Sequence, residues 1–166
     1  MSDLFPELRS DERTTLEQFV EQHRGGVRRA LDGLADADSA ARLLPHTQMT
    51  IGGIVKHLAQ MEDLWFTVKF AGDGWPAAWP DGAREEWAWA SAADDPVAEL
   101  AALYDAACAR SRAVAAKQVD LDALAARPSF GKGPVNLRWV FVHLIGETAQ
   151  HRGHLDLMLD VVRGRG

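Results

Sequence analysis

Apolar residues recur at intervals of three and four along four separate stretches of this chain, and no other feature of the sequence restricts its fold as strongly. In the first stretch, from about Asp11 to Leu34, the residues Leu16, Phe19, Val20, Val27, Ala30, Leu31 and Leu34 obey that spacing. It predicts one amphipathic helix, loosened at Gly25 and Gly26. The second stretch opens at Thr50, a residue suited to cap a helix, and carries Ile51, Ile54, Val55, Leu58, Met61, Trp65 and Val68 before "AGDGWP" ends it. The third has Asp95 as its expected cap and Pro96 at the first helical position, with Leu100, Leu103, Tyr104, Ala107, Cys108 and Val114 inward. The fourth starts near Val135 or Asn136, carries Val140, Phe141, Leu144, Thr148, Leu155, Met158, Leu159 and Val162, and stops at "RGRG". No strand pattern or internal repeat competes with these. Helices that each have one apolar face must bury those faces against one another, so the expected fold is all-α, a four-helix bundle. The connections between helices are long, notably "AGDGWPAAWPDGAREEWAWASAAD" between the second and third, and they permit a crossover topology.

At 166 residues the chain has the length of one ordinary domain, and residues 1–166 are expected to form a single unit. A composition of 47% hydrophobic and 25% charged residues separates it from disordered chains. The formal charge of −6 argues against nucleic acid as a partner, because a phosphate-backbone binder needs a basic face to displace counterions. The start, "MSDLFPELRSDERTTLEQF", is acidic and has no sustained apolar run, so it resembles neither a secretory signal nor a transit peptide. Nor does any window approach the roughly 18 consecutive apolar residues of a membrane span. The single cysteine, Cys108, excludes an intramolecular disulfide and fits a reducing compartment. A cytoplasmic protein without a membrane partner is expected.

Core packing does not explain everything in the fourth helix. In "GETAQHRGHLDLM", residues 146 to 158, Glu147, His151 and His154 fall on one stripe, since positions four and seven apart differ by only about 40° and 20° around a helix. Glu147 and His151 form E-x-x-x-H, an i, i+4 pair within reach of a shared ion. On the second helix, His57 has Ile54, Leu58 and Met61 within a turn, which places it on or beside the buried face. Together the three make a His₂Glu set, which leaves a coordination position open and is the catalytic type of zinc site. The alternative is a solvated Glu147–His151 pair, contributing a few tenths of a kcal/mol, beside a hydrogen-bonded core histidine. His143 lies eight residues before His151, about 12 Å of helix rise, and cannot readily share one ion with it. His154 could replace His151 or Glu147 as a ligand; it is placed here beside the ligands, where a partner orients an imidazole.

Other chemically attractive residues have plainer readings. Cys108 has only Arg112 as a basic neighbour at helical spacing and reads as a small core residue. Trp75, Trp79, Trp87 and Trp89 crowd one connection, where they either line a pocket or cap the open end of the bundle. "GKGP" at residues 131 to 134 lacks the rest of a phosphate loop, and "GVRRA" reads as a solvated helix face.

Two blocks, "TIGGIVKHLAQMEDLWF" at 50 to 66 and "NLRWVFVHLIGETAQHRGHLDLM" at 136 to 158, resemble the DinB-like superfamily of metal-binding four-helix bundles, in particular its branch of mycothiol-dependent enzymes. Many members use three histidines, the last two as H-x-x-x-H; here Glu147 stands first in that pair, as in the His/Glu/His site of mycothiol-dependent maleylpyruvate isomerases. The resemblance implies that His57, Glu147 and His151 are metal ligands. It further implies a divalent ion, zinc first and nickel second, a low-molecular-weight thiol such as mycothiol, and a homodimer. The chain ends at Gly166 without the additional C-terminal domain of those isomerases, so maleylpyruvate is not the expected substrate.

The expected function is therefore a metal-dependent thiol S-transferase, in which a mycothiol- or bacillithiol-type thiol attacks a small electrophile. One rival is metal-assisted hydrolysis with Glu62 as the base. The other is a non-catalytic metal-binding or sensing module.

Overall fold

Each long helix but one begins where a side chain satisfies the free N–H groups of its first turn. In the computed structural model, which describes residues 5–80 and 85–164, α1 (Glu12–Ala30) is capped by Asp11, whose carboxylate accepts from the Thr14 N–H. The Thr50 hydroxyl accepts from the Gly53 N–H at the start of α3 (Ile51–Glu62). The Asn136 side chain accepts from the Trp139 N–H and opens α6 (Leu137–Arg163). The exception is α5 (Val97–Ala116), where Pro96 holds the cap position and has no side chain to offer. Its first N–H, on Val97, donates instead to Asp36 of the short helix α2 (Asp36–Ala40) at 2.7 Å. Asp95, expected as the cap, pairs with Lys56 of α3.

The first helix is shorter than its apolar pattern. It runs unbroken through Gly25 and Gly26 but stops at Ala30, with Leu31 as its C-cap and Gly33 turning the chain at φ +72°. At Gly26 a Cβ would come within 2.2–2.8 Å of the Arg152 side chain, so the missing side chain lets α6 lay its guanidinium across α1. The second helix is longer than a plain α-helix: α3 continues as a π-helical stretch from Asp63 to Phe70. A short helix, α4 (Glu85–Ser91), and a 3₁₀ turn, Ala92–Asp94, occupy the tryptophan-rich connection.

Pairings between helices show the crossover that the long connections permit. Leu100 near the start of α5 lies against Gly52 near the start of α3, and Ser111 donates to the Glu62 carbonyl at the other end, so α3 and α5 run parallel. Arg138 and Arg152 of α6 reach Glu12 and His23 of α1, so those two are parallel as well. Phe66 meets Phe141, while Arg112 and Arg28 meet Glu21 and Asp105, so the two parallel pairs run antiparallel to each other. The order is up-down-down-up. Among the described residues, extended pairing is confined to the isolated bridges Leu124–Asn136 and Ser129–Gly133, and the fold is all-α. No helix among them is long and apolar enough to cross a membrane.

Two apolar clusters fill the bundle. Ile51, Ile54, Leu58, Leu100, Tyr104, Leu155 and Met158 pack at one end. Trp65, Phe66, Leu137, Val140, Phe141 and Leu144 pack at the other. Each such side chain contributes about 1.5–3 kcal/mol on burial, which is enough to hold a domain without a bound ion. Circular dichroism after chelation should therefore retain the helical signal; a collapse would make any metal structural.

Candidate metal centre

His57 lies on the most enclosed helix of the molecule, between α4, α5 and α6, and is only 2% exposed. Across from it, α6 turns Glu147 and His151 toward α3 from adjacent turns of one face. The His57 Nε2 atom stands 2.9 Å from Glu147 Oε1, and His151 Nε2 stands 3.3 Å from the same oxygen. The two imidazoles meet edge to face, with centroids 4.9 Å apart. One ligating atom from each of the three residues lies within 4.8 Å of the others.

This arrangement fits a single divalent ion on two grounds. Two imidazole nitrogens and a carboxylate oxygen are a donor set that suits zinc or a neighbouring first-row ion. The two nitrogens also converge on one carboxylate oxygen instead of pointing to separate partners. Hydrogen bonds from His151 and then His57 hold the Glu147 carboxyl well below the usual range, against the opposing effect of burial. It is therefore ionised at neutral pH, the form a cation needs.

His154 sits half-buried beside the three, its Nδ1 3.5 Å from that of His151 and its ring edge-on at 5.4 Å. His143 is drawn elsewhere: it stacks on Trp139 at 4.8 Å and meets Trp65 edge-on at 4.7 Å. Glu62, expected from the sequence as a candidate base, also belongs to different surroundings. Its two oxygens accept from Arg24 Nε and Nη2 at 2.8 and 2.6 Å, in a pair between α3 and α1 with both side chains buried. The reason is angular: five residues along a helix is about 140° of rotation, so Glu62 faces away from the side that His57 presents to α6. Cys108 is buried, and desolvation together with the nearby Glu62 carboxylate pushes its thiol up, which keeps it protonated and unreactive.

The tryptophans divide between the two roles open to them. Trp79 is buried and donates from Nε1 to Asp63 Oδ2 at 2.8 Å, fastening the connection to the bundle. Trp87 lies under the Lys56 ammonium at 4.4 Å. Trp89 alone joins the candidate centre: its indole stacks on His57 at 4.8 Å and 21°, and its ring centroid is 5.8 Å from that of His151. A cavity of about 300 Å³ opens between α1 and α5, lined by residues that include Val20, Arg24, Phe66, Ser111 and Phe141. None of the three candidate ligands lines it, so donor geometry and not cavity size marks the site.

Comparison with known proteins agrees with this architecture. A crystal structure of a conserved protein from Enterococcus faecalis has the same fold, with a TM-score of 0.63 at 16% identity over 94% of this chain and 99% of that one. No curated protein matches the sequence. Residues 15–164 match the profile of the mycothiol S-transferase family. With nearly the whole of its length matched, and with a helix bundle carrying a His₂Glu group between α3 and α6, the chain belongs to the mycothiol S-transferase family.

Proposed function

We propose that this protein is a metal-dependent thiol S-transferase, with His57, Glu147 and His151 as the ligands of one divalent ion, zinc first and nickel second. The observation that carries the reading is the convergence of those three side chains, on a chain whose family is named for transfer of mycothiol. A dication held there would favour the thiolate over the thiol of a small-molecule cofactor, and so supply a nucleophile at neutral pH.

The residues then have separate tasks. His57, enclosed by α3, α4 and α6, supplies a nitrogen whose position does not depend on solvent. Glu147 supplies the negative charge that draws the cation in, and it is the most solvent-exposed of the three, with 23% of its side chain accessible. A thiol would therefore reach the ion from the Glu147 side. From its place beside His151, His154 orients that imidazole. In the overall reaction the thiol loses its proton to solvent or buffer. Its sulfur forms a bond to an electrophilic carbon, and the leaving group departs with the electron pair of the bond that breaks.

Hydrolysis is disfavoured as the alternative by the position of Glu62, whose carboxylate is engaged by Arg24. The test is conjugation of mycothiol or bacillithiol to a bimane or chloronitrobenzene electrophile by protein loaded with zinc, nickel or manganese. A thiol-dependent rate above background is expected, falling to background in His151→Ala. Identical rates for the two proteins across these thiols, metals and electrophiles would refute the transferase reading.

A further inference from the structure

The aromatic ring against His57 comes from outside the four long helices. Trp89 sits on α4, and its indole is nearly parallel to the His57 imidazole at 4.8 Å. The same imidazole meets His151 edge to face at 4.9 Å, and the Trp89 and His151 centroids are themselves only 5.8 Å apart. The three rings thus form one cluster, with Trp89 covering a face of His57. The indole also has a prepared seat: Gly53 lies one turn before His57, and a Cβ there would come within 3.0 Å of Trp89 Cε3. The helix carrying Trp89 is anchored on both sides, since the Lys56 ammonium lies over Trp87 and pairs with Asp95 just beyond the 3₁₀ turn. Trp87 in turn meets Trp79 edge-on at 6.1 Å.

An imidazole ligates only when its ring is turned so that a nitrogen points at the ion, and ligand rings are commonly held in place by the groups around them. We propose that Trp89 is the positioning residue of this centre: stacked on His57, it keeps Nε2 aimed at Glu147 and His151 and closes the α4 side to water. Without it, the imidazole would border a gap and could turn its other edge toward α6. The inference rests on the metal reading above, and it makes α4 part of the site instead of a cap on the bundle.

The experiment uses the full chain as wild type, Trp89→Leu, Trp89→Phe and Trp75→Phe. Zinc affinity is measured by chelator competition, the visible spectrum with Co²⁺, and indole fluorescence during Ni²⁺ titration. Trp89→Leu should weaken zinc binding by about 10–100-fold and alter the Co²⁺ bands, the usual effect of losing a partner that orients a ligand. Trp89→Phe, which keeps a ring in the stack, should restore most of the affinity. Nickel should quench wild-type and Trp75→Phe fluorescence alike, with most of that quenching lost in Trp89→Phe. Wild-type zinc affinity and Co²⁺ spectrum in Trp89→Leu would overturn the proposal while leaving the metal reading intact. Should Trp89→Leu fail to fold, undiminished nickel quenching in Trp89→Phe would overturn it. A wild-type protein that binds none of these ions would overturn both readings.

Discussion

His57→Ala and His151→Ala should each lower zinc affinity by more than about 100-fold, because removing only an orienting partner of a ligand already costs about 10–100-fold. Either substitution leaves one imidazole and Glu147, too few donors for a stable site. Elemental analysis after gel filtration is the check: about one ion per chain is expected for the wild type, and little in either variant. Undiminished metal in both would refute the assignment. Glu147→Gln keeps the shape of the carboxylate but removes the charge on which both imidazoles converge, so it should bind metal more weakly without abolishing the site. His143→Ala should retain the ion, since His143 packs against Trp139 and Trp65. Loss of metal in that variant alone would move the centre one turn toward the start of α6.

The second large effect concerns stability. Arg24→Ala or Glu62→Ala should each cost about 3–5 kcal/mol, since either strands a charged group in the interior. For a chain of this size that is a drop of roughly 6–20 °C in Tm. Arg24 Nη1 also donates to Glu21, which in turn is held by Arg112, so loss of Arg24 loosens α1 from both α3 and α5. The double substitution Arg24→Met with Glu62→Leu removes both charges while roughly keeping volume, and it should recover most of the loss or exceed the wild type. Thermal unfolding of the three variants measures this. Single variants as stable as the wild type would contradict a buried, mutually dependent pair. The double variant should still bind zinc, because Glu62 is not among the candidate ligands.

Local spacing places some of these residues, and tertiary packing places the others. The pairing of Glu147 with His151 is legible in the sequence because helical rise and rotation alone bring residues four apart onto one face. The cap at Thr50 is legible for the same reason, as its bond spans only three residues. Four amphipathic periods with long connections sufficed for an all-α bundle, since apolar stripes have to be buried against something. The rest depended on contacts between residues far apart in the chain. His57 reaches Glu147 only because α3 and α6 cross antiparallel in a register that neither helix specifies by itself. Asp95 has the chemistry of a cap, yet the buried Lys56 ammonium claims it, and Asp36 from a separate helix serves Val97 instead. Glu62 is near His57 along the chain, but the turn of the helix hands it to Arg24. Trp89 carried no signal that distinguished it from Trp75, Trp79 or Trp87, because a connection has no periodicity that aims its side chains. Its place against His57 was decided by the gap at Gly53 and the anchoring of α4 on Lys56, which exist only once the helices have packed.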